Sequence, residues 1–318
     1  MVITKPSSSP ALPSLASIQG RVRLRQLALV LALTELGSMR KAADRVSVTQ
    51  PAATKMLHEL EQSLGLQLFD RGSRGMAPTV FGHAVVRYAH LILNDLEGLR
   101  EELAALAAGS AGKVSVGTIM AAAPGLLADT IAHLKQRHPM LEVNVTMDTS
   151  DMLLPLLVQG RLDVVIGRQT EGIVGAELSF ESLGQEALSV VVGPAHSLAK
   201  SRPALRDLGE LPWILQPRSS PLRQLLETAF RDAHMDTPLN VVETNSILTT
   251  TTLLQKTQMI ALVPTSVAQH YAESGMMVIL PLKLKRALEP FGAITRRQRV
   301  QPPALREFMA VLRGRSKA

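Results

Sequence analysis

One short segment combines side chains that suit nucleic-acid recognition. Thr49, Gln50 and Pro51 are followed closely by Thr54 and Lys55. A glutamine amide can form two hydrogen bonds with the N6 and N7 atoms of adenine, and a threonine can contact a base edge or a thymine methyl group. A lysine ammonium nearby is suited to a phosphate oxygen. The segment therefore predicts contacts in the major groove of duplex DNA.

Three further cations are placed to hold the DNA backbone. Arg40 precedes the segment, and Arg71 and Arg74 follow it in a glycine-rich turn that could reach the minor groove or the phosphates. Each of these residues taken alone is typical of any protein surface, so only the combination predicts DNA binding. The complete predicted set is Arg40, Thr49, Gln50, Pro51, Thr54, Lys55, Arg71 and Arg74.

Three short helices must position these side chains. The first begins at Leu24 and stops at a Gly-Ser break, and Ser38 then begins the second. Thr49 is a natural N-cap for the third helix, with Pro51 in the first turn, where its missing N–H costs nothing. That helix ends at Gly65. These proportions are typical of a helix-turn-helix followed by a β-hairpin wing.

A long helix is predicted from about residue 80 to residue 108. Its apolar residues recur at alternating spacings of three and four, which is the heptad pattern of paired helices. The alternative interpretation is an amphipathic helix that packs on its own domain. The predicted dimerisation residues are Ala89, Ile92, Leu96, Leu99, Leu103 and Leu106.

The remaining chain alternates strands with helices, which predicts a parallel or mixed sheet flanked by helices. Two Rossmann-like halves are expected, joined near residues 179 and 284. Ligands of such folds bind beyond the carboxyl ends of the strands. We therefore predict a small-molecule site lined by Thr118, Met120, Thr149, Ser150, Arg168, Gln216, Ser219, Ser220 and Asn245.

Hydroxyl groups and helix N-termini in this set would suit an anion, and Arg168 could bind a carboxylate through two hydrogen bonds. Simpler interpretations stay open. Ser150, Ser220 and Ser246 are equally ordinary N-caps, and Arg168 could be a surface ion-pair partner.

Composition excludes some classes of function, and the distribution of charge shows where an anionic partner would bind. The 318 residues include 34 Lys and Arg, 27 Asp and Glu and no Cys. The missing cysteines exclude thiol chemistry and disulfides, and nine aromatic residues are too few for base stacking on aromatic platforms. Residues 1–82 hold ten basic and five acidic residues, whereas residues 283–318 hold ten and two. The excess charge thus lies at the two ends of the chain.

Residues 37–82 resemble the N-terminal winged helix-turn-helix of LysR-type transcriptional regulators. The family usually has Ser where Thr54 stands and Arg where Lys55 stands, so the hydroxyl and the charge are kept. The matching segments are Ala42-Ala43, Thr49-Gln50-Pro51-Ala52, Glu59-Leu60-Glu61, Leu64-Gly65, Leu68-Phe69-Asp70-Arg71 and Thr79–Gly82.

The resemblance implies an α/β protein with a winged helix-turn-helix, a linker helix and a periplasmic-binding-protein-like effector domain of two Rossmann-like subdomains. It implies a transcriptional activator that binds a promoter dyad as a dimer of dimers and meets RNA polymerase. The candidate cavity residues themselves predict an anionic inducer of the aromatic-acid or sugar type. The expected domains are a disordered leader at 1–22, the DNA-binding domain at 23–82, the linker and hinge at 83–112, and the effector domain at 113–318, in which subdomain I is 113–179 with 285–318 and subdomain II is 180–284.

Other functions are less well supported. Catalytic motifs and metal-ligand spacings are missing from the sequence, so we expect no enzyme, no cofactor and no metal. A cytoplasmic location without membrane attachment is expected, because no signal sequence or apolar span is visible. The alternative is a cytoplasmic small-molecule binding module whose head makes protein contacts. Whether the protein activates or represses is left open by the residues themselves.

Overall fold

The computed structural model describes residues 12–72, 75–107, 112–169, 178–284, 287–297 and 301–316. The chain forms two compact units, residues 1–100 and residues 101–318. Within the described ranges, no helix is both long enough and apolar enough to cross a lipid bilayer.

The N-terminal unit is helical, with one two-stranded antiparallel sheet. Its elements are α1 (Leu15–Arg21), α2 (Leu24–Leu36), α3 (Met39–Arg45), α4 (Gln50–Leu64), β1 (Phe69–Gly72), β2 (Gly75–Pro78) and α5 (Val80–Ala107), the last of which continues into the second unit. The predicted tri-helix, hairpin and long helix are all present.

The expected disordered leader is wrong in part, because residues 15–21 form α1. Ser14 caps this helix, since its Oγ accepts a hydrogen bond from the Ser17 N–H at 3.3 Å. The helix contacts α4, and Val22 packs on the core of the unit. A serine cap and a tertiary contact thus outweigh the Pro- and Ser-rich composition of the leader. Residues 1–11 lie outside the described part of the chain.

The core of this unit is formed where α2, α3 and α4 meet. Leu33, Ala42 and Leu60 are completely buried in it. The helix α4 buries Ala53, Leu57 and Leu60, whose spacings of four and three residues place them on one face. Leaving the outer face of α4 free of core contacts is what makes it available to a partner.

The wing and the long helix are joined tightly. The backbone N–H of Thr79 donates to the carbonyl oxygen of Leu68 at 2.9 Å, and the Thr79 hydroxyl donates to the carbonyl of Gln67 at 2.8 Å. The N–H of Gly82 donates to the Thr79 hydroxyl at 3.0 Å. A β-carbon at position 82 would overlap the Leu68 carbonyl oxygen, so only glycine permits this approach. The first turn of α5 is therefore fixed to the base of the wing.

The C-terminal unit contains two five-stranded mixed sheets. The strands are β3 (Lys113–Thr118), β4 (Glu142–Met147), β5 (Val164–Gly167), β6 (Leu178–Gly184), β7 (Leu188–Val192), β8 (Trp213–Leu215), β9 (Val241–Glu243), β10 (Ile260–Pro264), β11 (Val278–Ile279) and β12 (Phe291–Arg296). The first sheet has the strand order β4-β3-β5-β12-β6 and the second has the order β11-β7-β10-β8-β9.

Helices cover both sheets. They are α6 (Ala128–Arg137), α7 (Ser150–Val158), α8 (Pro221–Asp232), α9 (Ile247–Lys256), α10 (Thr265–Glu273) and α11 (Pro303–Ser316). Fully buried strand residues such as Val164 and Val190 form the cores, as expected of sheets covered on both faces. The two-subdomain architecture is as predicted.

The predicted boundary between the subdomains needs correction. Strand β6 pairs with β12 in the first sheet, so that sheet extends to Gly184 and beyond the predicted limit at residue 179. The chain crosses between β6 and β7, and returns between β11 and β12. Strand β6 is an edge strand with exposed positions, so its sequence lacks the continuous apolar run of the inner strands.

Candidate nucleic-acid interface and ligand cavity

The N-terminus of α4 is built as predicted. The side chain of Thr49 accepts a hydrogen bond from the Ala52 N–H at 3.4 Å, and Pro51 lies in the first turn. Thr49, Gln50 and Pro51 are all exposed. Arg40 is likewise exposed, on α3. The geometry therefore presents the start of α4 to the surrounding space, as major-groove reading by a second helix requires.

The next turn of α4 continues the same surface. Lys55 has a side chain that is 78% exposed, and it lies 3.8 Å from Glu59 in a weak ion pair. The half-buried Thr54 donates its hydroxyl to the Gln50 carbonyl at 3.0 Å. His58 is exposed one turn further on, and sequence reasoning missed it because a single histidine carries no pattern.

A groove of about 630 Å³ lies between α4 and the wing, lined by Thr54, His58 and Arg71 among others. Glu61 holds the two elements together, since its Oε1 accepts from the N–H groups of Leu68 at 2.7 Å and Phe69 at 3.3 Å. The predicted Arg71 is thus brought to the same groove as the recognition helix. Arg74 lies outside the described residues.

The apolar stripe of α5 is largely open. Exposure of its leucines rises along the helix, from 40% at Leu96 to 58% at Leu103. The predicted Ala89 does not belong to this open stripe, because it is completely buried in the N-terminal unit. The exposed members of the predicted seam are Ile92, Leu96, Leu99, Leu103 and Leu106.

The C-terminal unit contains a cavity of about 270 Å³ between its two sheets. Three helices begin at it: Thr149 precedes α7, Ser220 caps α8 and Ser246 caps α9. The N-terminus of each helix carries a partial positive charge and free N–H groups. The cavity therefore favours negative charge.

Seven of the nine predicted site residues line this cavity: Met120, Thr149, Ser150, Arg168, Gln216, Ser220 and Asn245. Thr118 does not, because its side chain is completely buried and its hydroxyl donates to the carbonyl of Ile119. Ser219 is exposed and also lies outside the lining. Successive residues at a strand end or a loop point in different directions, which residue type alone does not reveal.

Arg168 is the central cation of the cavity, and it is only 4% exposed. The interpretation of this residue as a surface ion-pair partner is therefore wrong. Its Nε donates to the carbonyl of Glu289 at 3.0 Å, and its backbone N–H donates to the Ser150 hydroxyl oxygen at 2.9 Å. Its Nη2 has no hydrogen-bond partner among the described residues. Burial lowers the pKa of Arg168, and the charge of Glu186 opposes this effect.

Glu186 is the counter-charge of Arg168. Its Oε2 lies 3.9 Å from Arg168 Nη2, too far for a hydrogen bond, while its Oε1 accepts from the Ser266 hydroxyl at 2.7 Å. Burial raises the pKa of Glu186, against the hydrogen bond from Ser266 and the charge of Arg168. Because Glu186 and Glu289 lie on the two segments that cross between the sheets, Arg168 contacts both crossings.

Asp148 and Asn245 bridge the cavity, and sequence reasoning missed the contribution of Asp148. Asn245 Nδ2 donates to Asp148 Oδ1 at 3.2 Å, and the Thr149 N–H donates to the same oxygen at 2.8 Å. In the sequence, an acid at the start of a helix indicates only a favourable interaction with the helix dipole. The bridge becomes visible only when β4 and α9 are brought together.

The comparisons with known proteins identify both parts of the chain. The family described as the LysR substrate binding domain matches residues 107–317, and the bacterial regulatory helix-turn-helix protein of the lysR family matches residues 24–83. The chain belongs to the LysR family of transcriptional regulators. This LysR-type regulator is a DNA-binding protein with an effector-binding domain, and such regulators are not enzymes.

Curated relatives agree along nearly the whole chain. The LysR-type chain is similar to the HTH-type transcriptional regulator GbpR of Azospirillum brasilense, with 34% identity over 301 residues, 94% of this chain and 88% of the relative. It is also similar to the HTH-type transcriptional regulator GalR of Pseudomonas putida, with 30% identity over 289 residues, 91% of this chain and 73% of the relative.

Solved structures show the same fold. The crystal structure of CbnR, a LysR family transcriptional regulator, is 24% identical, covers 93% of this LysR-type chain and all of its own, and has a TM-score of 0.65. Full-length CbnR in complex with its target DNA is also 24% identical, with 92% and 99% coverage and a TM-score of 0.63. At this identity the likeness concerns the fold alone.

Proposed function

We propose that this LysR-type regulator is switched by a small anionic molecule bound in the cavity of its C-terminal unit. The observation that carries the proposal is the Arg168 guanidinium, which lines the cavity, is 4% exposed, and makes one side-chain hydrogen bond among the described residues, from Nε to the carbonyl of Glu289. A buried cation without a full set of partners is costly, and a ligand carboxylate would satisfy it. The three helix N-termini at the same cavity add to the attraction.

The DNA contacts are proposed for the exposed residues of the N-terminal unit. Gln50 and Thr54 would read base edges, and Lys55, Arg40 and Arg71 would hold phosphates. Thr49 and Pro51 would set the start of the helix against the groove. The support is the exposure of these side chains, apart from the half-buried Thr54, together with the groove between α4 and the wing that Thr54 and Arg71 line.

We propose that the chain assembles with itself through α5 into a dimer of dimers. Paired α5 helices would bury the open apolar stripe and place two recognition helices on the half-sites of a promoter dyad. A bound effector could then change the arrangement of subunits only through a difference in affinity for two states. RNA polymerase is proposed as the partner that responds to that change.

Thermal unfolding with a panel of small acids tests the effector site. A true ligand at 100 times its dissociation constant should stabilise the protein by about 2.7 kcal/mol. Arg168→Ala should remove the response, whereas Arg206→Ala, which changes an exposed arginine outside the cavity, should keep it. A panel of benzoate, hexanoate and gluconate that produces no shift with the wild-type chain would argue against the anionic effector.

Duplex binding at fixed salt tests the DNA-contact residues. Gln50→Ala combined with Lys55→Ala should weaken binding to the specific site by about 2–4 kcal/mol, whereas Gln62→Ala, at the far end of α4, should have little effect. If the double variant binds its site as the wild type does, another surface carries the DNA contacts. Salt dependence alone does not decide, because any basic patch produces it.

Sedimentation tests the assembly. Leu99→Asp with Leu103→Asp places charges on the exposed stripe, and we expect a shift from the assembled state to monomers. Glu102→Lys also changes a charge on α5 but lies outside the predicted seam, and it serves as the matched control. An unchanged sedimentation coefficient in the double variant would exclude α5 as the pairing surface.

A further inference from the structure

We infer that the cavity selects an acid that also carries hydroxyl groups, and that Asp148 is the residue that recognises those hydroxyls. This inference rests on the proposed anionic effector and narrows its chemical class. It also distinguishes between the aromatic and the hydroxylated acids that residue types alone leave open.

The Arg168 side chain favours a carboxylate group on the ligand. Arg168 is more than nine-tenths buried, lines the cavity, and keeps Nη2 without a hydrogen-bond partner in the described part of the chain. Glu186, its counter-charge, lies 3.9 Å away and makes its hydrogen bond with Ser266 instead. A ligand carboxylate that meets the guanidinium from the cavity would supply the hydrogen bonds that it lacks.

Asp148 adds a negatively charged hydrogen-bond acceptor to the cavity lining. Its Oδ1 already accepts hydrogen bonds from the Thr149 N–H and from Asn245 Nδ2, which fixes the orientation of the carboxylate. Its Oδ2 accepts none from the described residues, although Asp148 lines the cavity. A carboxylate accepts hydrogen bonds and cannot donate them, so a ligand that displaces water from this oxygen must bring a donor group to satisfy it.

Asp148 therefore discriminates among the chemical groups that a ligand could place beside it. A hydroxyl group donates to Asp148 and gains a charge-assisted hydrogen bond. An alkyl chain or an aromatic edge donates nothing, leaves the carboxylate without its partner, and removes water from it. A second carboxylate on the ligand would be repelled.

The rest of the lining fits a small carbon skeleton. Ile119, Met120, Leu222 and Ile247 supply apolar contacts, and the described residues that line the cavity include no aromatic ring. An aromatic acid would therefore find no stacking partner there. A compact acid with several hydroxyl groups satisfies both Arg168 and Asp148 and fits the apolar part of the lining.

Calorimetric titration of the full-length protein with gluconate and hexanoate tests this directly. Both probes have six carbons and one carboxylate, and they differ in their hydroxyl groups. We expect gluconate to bind at least tenfold more tightly than hexanoate. Asp148→Asn should weaken gluconate binding about tenfold and leave hexanoate unchanged or tighter. Asp151→Asn, which removes a charge three residues away in the first turn of α7 but lies outside the cavity lining, should change neither.

The titrations test the anionic site and its selection for hydroxyl groups separately. If hexanoate or benzoate binds as tightly as gluconate, the selection for hydroxyl groups is refuted while the anionic site stands. If 6-aminohexanoate binds more tightly than gluconate, Asp148 recognises an ammonium group and the hydroxyl assignment fails. If none of these acids binds, the proposed effector site itself is refuted. The wild-type comparisons need no variant, so they stand even if Asp148→Asn does not fold.

Discussion

In the N-terminal unit the proposed contact residues follow one another along one helix and its wing, whereas in the C-terminal unit they come from distant segments. Thr49, Gln50, Pro51 and Lys55 lie at the N-cap and in the first two turns of α4 and are exposed. Ser150, Arg168 and Asn245 meet only because two sheets assemble around one cavity. A local surface needs a correctly capped helix, but a cavity needs the whole tertiary structure. The two regions should therefore respond differently to the same chemical change.

The largest difference in stability loss is expected between substitutions of two glutamates, one in each unit. Glu186→Gln removes the counter-charge of the buried Arg168 and should destabilise the C-terminal unit by about 3 kcal/mol. Glu61→Gln keeps an oxygen for the Leu68 N–H and should cost the N-terminal unit about 1 kcal/mol or less. Urea unfolding followed by tryptophan fluorescence reports the C-terminal unit alone, because the chain has one tryptophan, the buried Trp213, so Glu61→Gln should leave this transition unchanged. An unchanged midpoint in Glu186→Gln would show that the pair contributes nothing.

A smaller contrast should separate two helix caps. Thr49→Ala and Ser246→Ala each remove one N-cap hydrogen bond and should each cost about 1 kcal/mol. Ser246→Ala should lower stability in the Trp213 assay without changing DNA affinity in the absence of effector. Thr49→Ala should lower DNA affinity and leave the Trp213 transition in place. If both variants affect both assays, the two regions do not act separately.

The smallest effect concerns acid pH. Burial raises the pKa of Asp163, against the hydrogen bond from the Ser115 N–H and the charge of Arg296. The folded state therefore holds this proton more tightly than the unfolded state, and stability falls as the pH rises from about 4 through the raised pKa.

Asp163→Asn should flatten that part of the pH profile in Trp213-monitored unfolding, since the amide does not ionise. Glu273→Gln, at an exposed position at the end of α10, is the control and should keep the wild-type slope. A wild-type profile that rises with pH over this range would contradict the assignment.

The sequence predicts the N-terminal unit more completely for a physical reason. Thr49, Pro51 and Gly65 mark the bounds of α4 by local capping chemistry, and the spacing of Ala53, Leu57 and Leu60 sets its buried face. These signals act within a few residues of one another. The helix α1 escaped prediction because Ser14 caps a segment whose composition is typical of disorder.

The C-terminal unit is predictable in its architecture but less so in its cavity. The alternation of strands and helices is strong enough to indicate two subdomains, and seven of nine expected residues reach the cavity. Thr118 was misplaced because its strand position decides which way it points. The boundary at β6 and the role of Asp148 depend on pairing with β12 and α9, which no local pattern encodes.

The tight approach at Gly82 has a mechanical consequence. Because the first turn of α5 is held to the wing through Thr79 and Leu68, a tilt of the wing turns the start of the helix with it. The 28 residues of α5 span about 42 Å, so a rotation of about 5° at the wing moves the far end by roughly 4 Å. A rigid α5 would therefore amplify a small rotation at the wing into a larger displacement at its other end. A larger residue at position 82 would overlap the Leu68 carbonyl oxygen and weaken this coupling.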